Sequence, residues 1–236
     1  MAIRNQSIFM AGALLAMSTL AARAQPADHA PDTMAARVLA CASCHGAEGQ
    51  GTSDAYFPRL AGKPAGYLYN QLVAFRDARR KYPPMNYLLE FLPDAYLKQI
   101  AEHFAALRPA FPEPAVPAAG AEILAKGEAL VTHGDPRRDI PACQGCHGPS
   151  FTGMEPAIPG LLGLRATYIS AQLGAWRYGT RTAASPDCMQ LVAGRLTEDD
   201  VKAIAAWLSS RPAPMDPSPA AHGSLPMPLD CGSEPN

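Results

Sequence analysis

Cys41-Ala42-Ser43-Cys44-His45-Gly46 returns later in the chain as Cys143-Gln144-Gly145-Cys146-His147-Gly148, offset by 102. Outward from each copy the match continues. Pro58, Leu60, Gly62, Tyr67, Gln71, Leu72 and Phe75 correspond to Pro159, Leu161, Gly163, Tyr168, Gln172, Leu173 and Trp176, offset by 101. Further on, Met85, Leu92, Ile100 and Phe104 correspond to Met189, Leu196, Ile204 and Leu208, offset by 104. Ordered matches separated by small changes in loop length are the mark of a duplicated domain.

The spacing inside the repeated motif carries chemistry. Cys-x-x-Cys-His is the attachment sequence for c-type haem. One turn of chain presents two thiols to one porphyrin edge, and the adjacent His is held under the iron. A lone Cys-x-x-Cys also suits a redox dithiol or half a zinc site, but here the His follows immediately, twice. The sequence therefore predicts two covalently bound haem c groups. Cys41 and Cys44 hold one and Cys143 and Cys146 the other, with His45 and His147 as proximal ligands. Met85 and Met189 occupy matching repeat positions, each seven residues before a Leu that precedes the last helix. A Met is most often a core filler. The repeated position predicts instead that these two fill the sixth coordination site, where Met raises the potential and blocks exogenous ligands.

The periodicity predicts an all-α fold. Leu68, Leu72 and Phe75 recur at helical spacing, as do Leu97, Ile100, Phe104 and Leu107. Ile123, Leu124, Gly127, Leu130 and Val131 precede the second Cys pair on one face, and Thr197 followed by Asp200 reads as a capping box. No alternating strand pattern stands out. The boundaries follow: a first domain over 31–108, a linker over 109–118 with four prolines between Pro109 and Pro117, a second domain over 119–211, and an irregular tail over 212–236 with seven prolines.

Residues 1–24 read as a secretory signal peptide: Arg4, an apolar run from Ile8 to Ala22, and cleavage after Ala22-Arg23-Ala24. The alternative is an uncleaved anchor, for which the run is short. No later run is long enough to span a bilayer, so the mature protein is expected to be periplasmic. Charge is nearly balanced, with 20 Lys and Arg against 21 Asp and Glu, which excludes the basic footprint of a nucleic-acid binder.

The stretch from about Val38 to Leu208 resembles the tandem dihaem class I cytochromes c of the cytochrome c4 type. The resemblance rests on the two CxxCHG motifs, on Pro58-Arg59-Leu60-Ala61-Gly62 with Tyr67 and Gln71, on Gly127-Glu128 ahead of Pro141-Ala142-Cys143, and on the two Met–x6–Leu stretches. It implies two class I cytochrome c domains, each wrapped around one covalent haem, with His/Met ligation and a respiratory or dehydrogenase-linked role. It further implies that the carbonyls of Pro58 and Pro159 accept the Nδ1–H of the proximal histidines, fixing ring orientation. The sequence departs from the family in a shorter leading helix in the first copy and a proline-rich tail with an extra Cys in the second.

Arg76 and Arg80 match Arg177 and Arg181. Two readings stand: pairing with haem propionates, or solvated helix ends where cations are favoured. Six cysteines less four thioethers leave Cys188 and Cys231. In an oxidising compartment an isolated pair usually bonds, which would pin the tail to the segment bearing Met189; the alternatives are two unrelated free thiols or an intermolecular bond. The functions that remain are a diffusing electron shuttle, a cytochrome subunit serving a periplasmic dehydrogenase, and a dihaem enzyme such as a peroxidase. The repeated Met argues against the third, because an enzyme needs a displaceable coordination site. Expected partners are redox proteins, with a periplasmic dehydrogenase as donor and a terminal oxidase or another cytochrome as acceptor.

Overall fold

The computed structural model describes residues 32–234 apart from Ala55, and the expected signal peptide at 1–24 lies outside the described residues. In the first half, α1 (Met34–Arg37) opens at Thr33, whose side chain accepts from the Ala36 amide, and α2 (Leu39–His45) carries the first Cys pair. Then follow α3 (Ala65–Arg76), α4 (Pro83–Leu89) and α5 (Asp94–Ala106). Two prolines start α4, where a preset φ helps and the missing N–H costs nothing. Leu97, Ile100, Ala101 and Phe104 form the buried stripe of α5 and meet Leu68 and Phe75 of α3 in one apolar core.

The second half repeats the plan with α6 (Ala121–Thr132), the short α7 (Gln144–His147), α8 (Ala166–Arg177), α9 (Cys188–Arg195) and α10 (Glu198–Ser209). Gly127 lets α6 cross α10 closely, since a Cβ there would fall 2.2 Å from the Ala203 carbonyl oxygen. The Thr197–Asp200 capping box forms as the spacing predicts. Asp200 does more than cap. Its carboxylate is buried and takes Lys126 Nζ of α6 at 2.9 Å and Arg138 Nη1 at 2.6 Å, tying three segments together. Burial alone would raise its pKa, but the bonds from Arg138, the Thr197 amide and Lys126 hold it well below the carboxylate range. One departure from the helical expectation is a two-residue antiparallel pair, β1 (Gly153–Met154) with β2 (Ile158–Pro159). It is too short for an alternating sequence pattern to announce it.

Residues 109–118 form neither helix nor strand, yet they are held in place. Arg59 donates to the carbonyls of Pro109 (2.6 Å) and Ala110 (2.8 Å) and lies 4.0 Å from the Phe111 ring centroid, while Phe111 packs on the second core. The tail is irregular and also docked. Ala220 exchanges backbone bonds with Gly153 and Glu155, and the Ser233 carbonyl accepts from Asn70 Nδ2 on α3 at 3.1 Å.

The halves meet through repeat-equivalent residues. Arg80 and Arg181 form an antiparallel backbone bridge, extended by the Thr182 amide donating to Arg79 O at 2.8 Å. Each guanidinium then crosses over. Arg80 donates to Tyr168 and Gln172 of the second half, and Arg181 to Gln71 and, at 3.4 Å, Tyr67 of the first. The same patch faces itself, as at a two-fold interface.

Candidate functional site

Cys41 and Cys44 lie one turn apart at the end of α2, and Cys143 and Cys146 bracket α7 in the same way. Burial pushes Cys143 up to about 12 and Cys146 to about 11, and it also raises Cys41. Such groups resist forming the thiolates that dithiol exchange requires. Among the described residues no three His, Cys, Asp or Glu side chains converge as a metal cage, so zinc has no set of ligands here.

Each motif histidine is buried and oriented by one carbonyl. His45 Nδ1 lies 2.9 Å from Pro58 O and His147 Nδ1 lies 2.7 Å from Pro159 O. With Nδ1–H donating, Nε2 is the nitrogen left for a metal. Burial lowers both imidazole pKa values, and the carbonyl bonds partly oppose it. Nearby cations, Arg80 for His45 and Lys63 for His147, lower them further. Both rings are therefore held in the neutral, ligating form.

In the second half Cys143, Cys146, His147 and Met189 line one cavity of about 200 Å³, whose other walls are mainly apolar. In the first half, Cys41 and Met85 pack against the same core, and His45 is buried. The walls suit a haem. A flat apolar body fills the cavity, and unsatisfied polar groups at its rim suit the two propionates. Trp176 Nε1 lines the cavity buried and without a hydrogen-bond partner. Arg181 also lines it, and none of the described ion pairs involves it or Arg80; Lys63 lines it too, with its Nζ committed to the Gly160 carbonyl.

The repeated arginines divide into two kinds. Arg80 and Arg181 are buried, at 8% and 3% exposure, in the joint between halves. Arg76 instead turns outward to Asp94 (2.5 Å) and Asp77 (2.9 Å), and Arg177 lies over the Tyr178 ring. For these two the solvated helix-end reading describes the geometry. Sequence reasoning missed Lys63, Tyr67, Tyr168, Gln71 and Gln172 as members of the site. Four of these five stood in the repeat as matched pairs, and that was the available signal.

Cys188 and Cys231 are joined in a disulfide with their Cα atoms 5.4 Å apart. The bridge sits at the start of α9, next to Met189. Met227, Leu229 and Cys231 of the tail thereby become part of the cavity wall.

The cytochrome c family pattern matches residues 34–96. The thiosulfate dehydrogenase electron acceptor of Thiomonas intermedia (strain K12) is 36% identical over 210 residues, covering 89% of this chain and 96% of the relative. Cytochrome c4 of Pseudomonas aeruginosa is 37% identical over 175 residues, covering 73% of this chain and 84% of the relative. Among solved structures, reduced recombinant cytochrome c4 from Pseudomonas stutzeri superposes with a TM-score of 0.65 at 29% identity, covering 75% of this chain and 95% of that one. Among the described residues no helix is long and apolar enough to cross a membrane.

Proposed function

Since this chain belongs to the tandem dihaem cytochromes c of the cytochrome c4 type, we propose that it relays electrons from a periplasmic dehydrogenase to an oxidase or another cytochrome. It is an electron carrier with two covalently bound haems c. The haem irons supply the one-electron couple, and the chain's residues hold, tune and insulate it. The observation that carries this reading is the shared cavity of Cys143, Cys146, His147 and Met189, and in the first half Cys41 and Met85 pack against one core.

Within that reading each residue has one task. The four cysteines anchor the haems. His45 and His147 ligate through Nε2 while the Pro58 and Pro159 carbonyls hold their Nδ1–H. Met85 and Met189 would be the second ligands to the irons, a role in which thioether sulfur raises the potential and keeps exogenous ligands out. Arg80 and Arg181 offer the propionates charge-assisted bonds at the joint between halves, while Arg76 and Arg177 stay at the surface. The relative named as a thiosulfate dehydrogenase electron acceptor points to a thiosulfate-oxidising enzyme as donor. Mixing the oxidised protein with such a dehydrogenase and thiosulfate should reduce both haems, followed by their absorption. No reduction under turnover conditions would remove that donor.

A further inference from the structure

Lys63 sits in the first half, just ahead of α3, and reaches into the second. It is 9% exposed, and its Nζ donates to the Gly160 carbonyl at 2.7 Å. That carbonyl follows directly on the Pro159 carbonyl that holds His147. Lys63 also lines the cavity of the second half, and none of the described ion pairs involves it. A buried ammonium with one neutral acceptor is costly and needs a reason. The repeat sharpens the point. Gly62 and Gly163 are mates, so the position matching Lys63 is Leu164. Arg80 and Arg181 are repeat mates that face each other across the joint, whereas Lys63 has no counterpart.

We propose that Lys63 is a positioning residue of the first half that tunes the second haem, by bracing the loop behind His147 and placing an unbalanced cation beside it. The inference rests on His147 being the proximal ligand of that haem. Burial lowers the Lys63 pKa to about 8, which leaves the ammonium predominant at neutral pH. Lys63 and His147 line the same cavity, so the cation and the ring share one enclosure. A nearby cation disfavours the extra positive charge of ferric iron, so it favours reduction. The first half thus contributes to the potential of the haem it does not contain.

Spectroelectrochemical titration of the holoprotein tests this, with the second haem identified as the one whose midpoint moves in Met189→Ala. Lys63→Gln keeps a donor for Gly160 and removes the charge. It should shift the second haem's reduction equilibrium about tenfold toward the oxidised form, equivalent to about 59 mV for one electron. The first haem should stay unchanged, and Lys63→Arg should stay near wild type. A lower melting temperature with both midpoints unmoved would make Lys63 a strut only and overturn the proposal, as would equal shifts at both haems. Failure of the ligand reading would appear separately, as a wild-type haem count other than two or a missing Met-to-iron band.

Discussion

The helix that carries Met85 and the helix that carries Met189 stand at equivalent points of the repeat, but their outer faces differ. On and just after α4, Pro83, Pro84, Tyr87 and Phe91 face solvent, with Tyr87 82% and Phe91 86% exposed. The matching residues on or beside α9 are Asp187, Cys188, Leu191 and Arg195. Asp187 caps α9 through the Gln190 amide, and Cys188 is bonded to the tail. One Met helix is open and aromatic, and the other is capped and covered. The inner frames, by contrast, match: histidine, proline carbonyl, arginine and glutamine occupy equivalent places. Duplication kept the parts that hold a haem and altered the parts that meet solvent, so the two haems sit in unlike surroundings.

The harshest way to break this comparison is to empty one side. Replacing Cys143 and Cys146 with Ser should leave one haem per chain by mass, with the second half unfolded and the first still low-spin. An unfilled cavity of about 200 Å³ costs about 5 kcal/mol by cavity volume alone. Retention of two haems would refute the attachment sites.

Cutting the tail bridge is the next largest change. The disulfide closes a loop with a sequence separation of 43, worth about 4 kcal/mol on the chain-entropy account. Cys231→Ser should therefore lower the melting temperature of the second half and leave that of the first. Thiol labelling of the unfolded, unreduced wild type should find no free Cys188 or Cys231.

Asp200 gives a milder and pH-dependent contrast, because its repeat mate is Tyr96. Asp200→Ala strands Lys126 and Arg138, but both remain partly exposed, so screening reduces the loss to about 2 kcal/mol. The folded carboxyl is depressed, so its stabilisation is full above the ordinary Asp value of about 3.9 and is lost as pH falls through the folded value. Acid titration followed by circular dichroism should weaken the second half before the first, and Asp200→Ala should remove that difference. The smallest effect belongs to Arg76→Ala, which should leave both midpoints in place, whereas Arg80→Leu at the joint should disturb them.

Much of this was legible because the chain states it twice. CxxCH fixes the attachment chemistry locally, and repeat register picks out Met85 and Met189 from nine methionines. The capping box was legible because Thr197 and Asp200 are three residues apart on one helix. The joint was not. Arg80 and Arg76 look alike in sequence, since both follow an amphipathic helix, and only the fold shows one facing Tyr168 and the other facing Asp94. Contacts between residues about a hundred positions apart have no periodicity to betray them. Lys63 left one trace, its mismatch with Leu164, and reading that trace required the packing of the two halves.

The bridge from Cys188 to Cys231 also bears on how the molecule is made. Cys231 follows the other five cysteines in the sequence, so it is the last of the six to be synthesised. Until then Cys188 meets only thiols reserved for haem. Haem ligation and disulfide formation thus draw on one pool of sulfur, in an order set by the chain itself.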